Sequence, residues 1–514
     1  MTSDPGAGTP AAEDILDTPA AGGRAIRGSA IRGVGYAAGT LITLVSAPLL
    51  VRHLGVVEFG RYMTAISLAA VVAGVTDVGL ASITLREYAV RRERERDVFM
   101  RNVLGTRVLL TVAGVLLATA FAVGAGYPGP IVVGTAVAGA GVVLAVVGHT
   151  IGVPLAAELR YGWLTILDVA AKAVGVGLVV ALVVASAGIV PLLAVPAATG
   201  LAVVAVTAVL VRGRVPFRPS LELGELRPLL RDTLPLALAT VLTTIYARIV
   251  IILLSLIAAE TVTGYFATAS RVLEVAVGVP LALVSTMLPL LARAARDDAA
   301  RFRHALQRLL DVALIGGVWM ALAMGIAAGL VVEVLGGADA RPAAVPLEIL
   351  SAALIPVFVN VTVQHALLAL QHHRRLLQAN AVGLIAIVPA TLLLVPALDA
   401  RGAAIAVVVS ETTLTVASLI GLLRERPDLR PALFIPLRVL GAGVLALLST
   451  FVPIPWDVAQ AVFASLVYFG ALAALDALPR ELWHAIVTSR GGGPPEPAPA
   501  APAGPVGESS RPAL

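Results

Sequence analysis

The sequence predicts an all-α polytopic membrane protein of about fourteen transmembrane helices, arranged as two six-helix lobes in parallel repeat plus a terminal helix pair. Composition is the first observation: 58% of the 514 residues are hydrophobic and 13% charged, against about 25% charged in soluble domains. The second is arginine, which falls mostly between apolar runs, and the third is a weak similarity between the two halves. The absence of cysteine excludes disulfides and thiolate metal sites.

Apolar runs of about twenty residues predict the membrane spans. Backbone polar groups in lipid must be satisfied within their own segment, so each run is expected to be helical. The fourteen runs lie near 33–51, 62–83, 104–123, 131–155, 164–187, 191–211, 234–258, 263–291, 309–335, 346–370, 376–395, 403–423, 434–451 and 458–478.

Arginines predict the orientation, because positive residues accumulate in cytoplasmic loops. With Arg107 and Arg438 counted in the loops before their spans, thirty arginines fall on one side and only four on the other, namely Arg52, Arg61, Arg341 and Arg401. The asymmetry predicts that both termini are cytoplasmic and favours an even number of spans. The protein is therefore expected in the cell membrane as a multi-pass protein.

The same division gives the expected domains. Residues 1–23 lack the basic start of a signal peptide, and the Pro/Ala/Gly-rich C-terminal stretch has little to bury. The expected parts are disordered cytoplasmic tails at 1–23 and 490–514, an N-lobe at 24–211, a cytoplasmic amphipathic linker at 212–232, a C-lobe at 233–423 and helices thirteen and fourteen at 424–489.

An offset of 203 residues aligns the two halves. It pairs Phe99 with Phe302, Tyr62 with Tyr265 and Ser67 with Ser270. Six helices per half is an even number, so both copies would enter the membrane in the same direction, as in a parallel repeat. Composition and spacing alone thus indicate a two-lobed transporter with a cavity between the lobes.

Three segments resemble a known family. Residues 51–62 (VRHLGVVEFGRY) are followed by TDVGL at 76–80 and LRE at 85–87, and residues 264–271 (GYFATASR) are followed by MLP at 287–289. Together they resemble the polysaccharide flippase family, the O-antigen or Wzx-like branch of the multidrug/oligosaccharidyl-lipid/polysaccharide exporter superfamily.

The resemblance implies a V-shaped twelve-helix core that moves lipid-linked saccharides by alternating access. One position departs from the family pattern. Members often have an acidic residue before the basic residue of helix seven, where this chain has Ala247 before Arg248. A cation-coupling role for helix seven is therefore not expected.

Charges within the spans are the candidate site residues, since a charge at the bilayer centre costs at least about 2.5–3.5 kcal/mol. Arg248 has no acid one turn away and is expected to be uncompensated, whereas Arg271 has Glu274 at i+3 and Lys172 follows Asp168 by one turn. Guanidinium suits phosphate oxygens. We expect Arg248, Arg271 and Lys172 to bind the cargo phosphate; interhelical ion pairs are the alternative.

The remaining polar residues in the spans have two readings. Asp77 and Glu411, like Asp168 and Glu274, are either proton or sodium sites or charge partners of basic residues. Asn360 and His365 are either interhelical hydrogen-bonding groups or contacts to the sugar.

The resemblance and these charges predict a flippase. It would move a polyprenyl-(pyro)phosphate-linked oligosaccharide to the outer leaflet, with proton or sodium coupling but no cofactor or metal. The expected partners are this lipid, the bilayer, and a polysaccharide polymerase or glycosyltransferases; nucleic acid is not expected. The alternatives are a peptidoglycan-precursor flippase and an organic-cation antiporter. A membrane polymerase is disfavoured, because the predicted outward loops are short and no catalytic motif is present.

Overall fold

The computed structural model describes residues 19–77, 80–158, 160–212, 219–221, 226–429 and 434–477. The regular elements of these residues are helices. The seventeen α-helices are α1 Pro19–Asp77, α2 Leu80–Val90, α3 Glu93–Gly124, α4 Gly129–Ile151, α5 Val153–Ala157, α6 Tyr161–Val184, α7 Ile189–Leu193, α8 Val195–Leu210, α9 Leu226–Ile257, α10 Glu260–Asp297, α11 Ala299–Ile326, α12 Ala328–Gly336, α13 Ala344–Ala352, α14 Leu354–Ala369, α15 His373–Glu425, α16 Phe434–Leu448 and α17 Asp457–Ala474.

Ten helices of the described residues are long and apolar enough to cross a membrane, or eleven if the bent pair 338–352 and 354–369 is one span. Helix α15 contains two predicted spans, and α1 contains one predicted span and most of the next. The predicted span at 434–451 corresponds to α16 and the 3-10 turn after it, which together form a shorter apolar helix, Ile435–Phe451. Within the described residues, the fourteen predicted spans fall on helical segments, and the predicted all-α membrane fold is confirmed.

Two turns that were predicted as loops lie inside long helices. Gly55 has φ +70° within α1, and Asp399 has φ +50° within α15. Glycine adopts a positive φ without steric cost, which explains the break at Gly55. At both residues the helix is interrupted at one position and the chain is helical on both sides. The loop expected at 52–61 is consequently helical.

The predicted linker and tails are only partly described. Residues 1–18, 213–218, 222–225 and 478–514 lie outside the described residues. Helix α1 already begins at Pro19, and residues 226–232 of the predicted linker form the start of α9. In the described part of the linker, Ser220 donates its backbone N–H to the Arg101 carbonyl at 3.0 Å.

The two lobes touch where α1 passes α10. A Cβ atom built on Gly60 would lie 2.9 Å from the Gly264 backbone nitrogen, so glycine is required for this approach. Arg61 of α1 donates to Glu260 of α10 at 3.0 and 2.7 Å and to Glu58 at 2.5 Å. We call Glu58, Arg61 and Glu260 the inter-lobe ion cluster.

The terminal pair α16–α17 packs against α11. Tyr468 is fully buried and donates its hydroxyl to the Ile315 carbonyl at 3.0 Å, and Trp319 donates to Ser465 at 3.1 Å. The pair therefore adds to the side of the C-lobe, outside the repeat.

Candidate functional site

The candidate site is built on α9 and α10, which run antiparallel and join at residues 258–259. We call this join the closed side, and the end where Arg293, Arg296, Arg301 and Arg303 join α10 to α11 the basic side. Arg248 precedes the end of α9 by nine residues and Arg271 follows the start of α10 by eleven. At about 1.5 Å per residue both arginines lie roughly 14–17 Å from the closed side, near the middle of a hydrocarbon core about 30 Å thick.

Both arginines bind the same carboxylate. Arg248 Nη1 donates to Glu274 Oε1 at 2.5 Å, and Arg271 Nη1 donates to Glu274 Oε2 at 2.8 Å. The expectation that Arg248 would be uncompensated is wrong, because its partner comes from the neighbouring helix. The expected proximity of Arg271 and Glu274 is present, and we call the three residues the arginine–glutamate triad.

The triad still has an excess of positive charge, since its three formal charges sum to +1. Its side chains are partly accessible, at 23% for Arg248, 32% for Arg271 and 30% for Glu274. The opposite lobe adjoins it, because Tyr62 of α1 is within electrostatic range of Arg271. An anion that reaches this point would meet two guanidinium groups at a lobe interface.

The closed side of the triad is sealed by apolar packing. Phe59 and Met63 of α1 belong to one buried cluster with Val250 and Leu254 of α9 and Phe266 of α10. The inter-lobe ion cluster lies beyond it at the end of the helices. Toward the basic side, by contrast, α10 presents Ser285 and Thr286 as exposed residues.

Glu411 lies at a similar depth on α15. It follows the turn at Asp399 by twelve residues, about 18 Å along the helix. Its carboxyl group interacts with the Tyr246 hydroxyl of α9, two residues before Arg248, although that hydroxyl has no aligned hydrogen-bonding partner in the described chain. Glu411 thus lies beside the helix that holds Arg248.

Asp77 is a charge partner, one of its two predicted readings. It accepts a hydrogen bond from Arg107 Nη2 of α3, and the Arg107 side chain is only 3% exposed. The orientation count places Arg107 in the loop before its span, but the residue lies inside α3. The start of that apolar run at residue 104 was the signal that could have placed it in the membrane.

Lys172 lies on α6 against α1. A Cβ atom on Gly39 would lie 2.6 Å from Lys172 Nζ, so the ammonium group is at a helix–helix contact. Asp168 lies one turn earlier and is exposed. The two residues are far along the chain from the triad and on the other lobe, and their pairing stays a prediction.

Asn360 and His365 form bonds within the protein. Asn360 is buried and its Oδ1 accepts a hydrogen bond from Ser418 of α15 at 2.8 Å, while His365 Nδ1 lies 2.7 Å from the Val361 carbonyl of its own helix. Contacts from these two side chains to a sugar stay a prediction. The inter-lobe ion cluster, in contrast, was not predicted as a unit, because Glu260 is 199 residues from Arg61.

This fold and site define a class, the multi-pass membrane transporters of the flippase and drug-exporter type. Comparison with known sequences identifies the family: the model of a family described as "Polysaccharide biosynthesis protein" matches residues 49–345. The chain belongs to this polysaccharide flippase family. No curated protein matches its sequence.

Solved structures of proteins described as flippases and drug transporters have a similar fold. "Lipid II flippase MurJ, inward closed conformation" is 16% identical with a TM-score of 0.69, over 88% of this chain and 99% of that chain. An inward-facing multidrug resistance MATE family transporter of the MOP superfamily is 16% identical with a TM-score of 0.59, over 78% and 98%. A structure described as "Reverse polarity of binding pocket suggests different function of a MOP superfamily transporter from Pyrococcus furiosus Vc1 (DSM3638)" is 17% identical with a TM-score of 0.55, over 79% of this chain and 95% of that chain.

Proposed function

We propose that the protein flips a polyprenyl-(pyro)phosphate-linked oligosaccharide from the cytoplasmic to the outer leaflet by alternating access. The single observation that carries this proposal is the arginine–glutamate triad, an excess positive charge held in mid-membrane between the lobes. The linking phosphate is the charged part of such a lipid, and it is the part that hydrocarbon opposes most strongly.

The triad can supply hydrogen-bond donors in place of the water molecules that the phosphate loses on entering the membrane. Guanidinium offers paired planar donors and keeps its charge at every relevant pH. A phosphate can accept hydrogen bonds from Arg248 and Arg271, which donate to Glu274 in this structure. Lys172 is proposed as a further phosphate contact and Asn360 and His365 as sugar contacts, on their polarity within the spans.

The direction of transport rests on the proposed orientation. Thirty arginines against four favour a cytoplasmic basic side with both termini there, in the cell membrane. A potential that is negative inside would assist outward movement of a dianion by about 4.6 kcal/mol per 100 mV, from roughly 2.3 per charge. We propose Glu411 as the site where a proton or sodium ion is coupled, because it lies beside the Arg248 helix.

Two other cargoes fit the same fold. A peptidoglycan lipid precursor has the same kind of phosphate linkage, and the likeness to the lipid II flippase favours it in fold alone. An organic cation would require an acidic site, and the excess positive charge of the triad opposes it. The triad therefore favours a lipid-linked phosphate over a cation.

The test is transport in proteoliposomes with a fluorescent polyprenyl-pyrophosphate oligosaccharide. Arg248→Ala and Arg271→Ala should each lower the flipping rate by about 10–100-fold, since hydrogen bonds to charged groups contribute about 1.5–3 kcal/mol. Arg401→Ala, at an exposed arginine far from the triad, is the matched control and should flip at the wild-type rate. Normal flipping by both triad variants, at equal protein amounts, would contradict the proposal.

The same assay separates the cargoes. A peptidoglycan precursor moved faster than the oligosaccharide lipid would favour the precursor flippase. Export of an organic cation that both triad variants leave unchanged would favour the antiporter. Indifference of lipid flipping to voltage and to ion gradients would contradict the proposed driving force and the role of Glu411.

A further inference from the structure

A groove outside the candidate site runs between the two arms of α15, before and after Asp399. Its volume is about 380 Å³, and it occupies the half of the helix pair near the basic side. Apolar and basic residues line it: Val382 and Arg375 on the first arm, and Val416, Ile420 and Arg424 on the second. We call it the α15 groove.

The groove is separate from the surfaces through which α15 contacts α9 and α14. On the first arm, Asn380 instead contacts α9, where it donates to Thr243 at 2.8 Å, and on the second arm Ser418 contacts α14. The lining residues lie on other sides of the two arms. Beyond Val382, the same arm exposes Ile385 and Leu393 at 71% and 76%. Apolar side chains this exposed on a membrane helix indicate contact with lipid chains.

The mouth of the groove has uncompensated positive charge. Arg375 is held by Glu425, which accepts from its Nε at 2.7 Å, and by Gln378 at 3.0 Å. His372 also approaches Glu425, at 3.9 Å. Arg424 is exposed and has no ion pair or hydrogen bond from its side chain within the described part of the chain.

The neighbouring charges do not neutralise Arg424. Arg426 donates to both oxygens of Asp428 at 2.8 Å, and these bonds lower the pKa of the Asp428 carboxyl. Arg374 is exposed and, like Arg424, makes no such bond among the described residues. With Arg375 matched by Glu425, the formal excess at this mouth is two positive charges.

We infer that the α15 groove binds a glycerophospholipid with a net negative headgroup from the leaflet on the basic side. Its phosphate contacts Arg424 and the edge of Arg375 that Glu425 leaves open. One acyl chain lies along Val382, Val416 and Ile420. A zwitterionic lipid has the same chains, but its ammonium group would face the excess of positive charge at the mouth, so the charge selects the anionic lipid.

The floor of the groove explains how a chain can lie there. Gly421 and Ala417 of the second arm are small, and a Cβ atom on Gly421 would lie 3.5 Å from Arg375 Cβ. A large side chain at Ala417 would fill the space without changing the charge. This position therefore allows the apolar part of the site to be tested separately from its arginine.

The experiment measures lipid retention on the purified full-length protein by native mass spectrometry. Phosphatidylglycerol and phosphatidylcholine with identical chains are added, and inorganic phosphate is added in a separate arm. We expect phosphatidylglycerol to be retained preferentially. Arg424→Ala should weaken that retention about five-fold, from about 1 kcal/mol per arginine near the surface, and Ala417→Phe should weaken the retention of both lipids.

The control is Arg301→Ala, an exposed arginine on the same side but on α11. It should retain phosphatidylglycerol as the wild type does. Equal retention of the two lipids by the wild type, an equal loss in Arg301→Ala, no loss in Arg424→Ala, or displacement of the lipid by inorganic phosphate would each overturn the inference. None of these readouts depends on flipping, so failure here is distinguishable from failure of the proposed function.

Discussion

The two lobes share a scaffold but differ in charge. The 203-residue offset pairs Phe99 with Phe302, and both rings are fully buried near the basic side. Each also lies under a guanidinium, Arg91 at 4.3 Å from the Phe99 ring and Arg426 at 5.9 Å from the Phe302 ring. The two rings are therefore equivalent in burial, although their guanidinium partners are not related by the offset.

The charges of the triad have no counterpart in the N-lobe. The same offset places Arg248, Arg271 and Glu274 opposite Val45, Leu68 and Val71, and Glu411 opposite Ala208. The N-lobe instead has Arg107 paired one-to-one with Asp77. A neutral pair in one lobe and an excess charge in the other show that the two lobes differ in charge although they share a helical frame, and the triad proposed to bind the phosphate belongs to the C-lobe.

The largest expected effect tests the shared scaffold. Phe99→Ala and Phe302→Ala should each destabilise the protein by about 3–5 kcal/mol, because a buried aromatic ring is removed in both. Thermal denaturation of the purified protein in detergent measures this. Losses in the free energy of unfolding that differ by more than about 2 kcal/mol between the two variants would show that the two positions are not equivalent. Phe451→Ala, at an exposed ring, is the control.

The next effect separates the two kinds of charge. Asp77→Asn should lower stability by about 1–3 kcal/mol, because it leaves the buried Arg107 guanidinium without its carboxylate. Asp339→Asn, at an exposed acid, is the control and should leave the denaturation temperature unchanged. An unchanged denaturation temperature in Asp77→Asn would mean that water takes the place of the carboxylate beside Arg107.

Glu274→Gln should instead act mainly on anion binding. It raises the formal charge of the triad from +1 to +2, and its partly exposed arginines can be hydrated. We expect tighter binding of a polyprenyl-pyrophosphate oligosaccharide, by about ten-fold for 1.4 kcal/mol, measured by quenching of the fluorescent lipid in detergent. Weaker binding would mean that Glu274 is needed to orient the guanidinium groups.

The smallest expected effect concerns the inter-lobe ion cluster. Arg61→Ala removes partly exposed ion pairs, which contribute about 0.2–1 kcal/mol, so stability should hardly change. The distance between spin labels placed on the two lobes should nevertheless widen at the closed side. Arg341→Ala, whose ion pair with Glu333 lies within one lobe, should leave that distance unchanged.

The helices could be predicted from the sequence because each span satisfies its own backbone and shows its hydropathy locally. The site could be predicted only in part. Arg248, Arg271 and Glu274 were identifiable as charges within spans, but the bond from Arg248 to Glu274 joins residues 26 positions apart on different helices. The orientation count assigns Arg107 to a loop because the segment before its span is polar, and its buried pair with Asp77 cannot be inferred from that segment alone. The predicted loop around Gly55 is longer than the observed turn because the helix is interrupted at a single glycine.

The sharing of Glu274 bears on how a cargo could leave. Without Glu274, a bound phosphate would dissociate slowly, because its departure would leave two guanidinium groups in the membrane without an anionic partner. If the Glu274 carboxylate binds both guanidinium groups again as the phosphate departs, it replaces the lost interactions. The free energies of the protein with and without bound phosphate then stay similar. A carboxylate that replaces the phosphate in this way would favour repeated transport cycles over tight retention of the cargo.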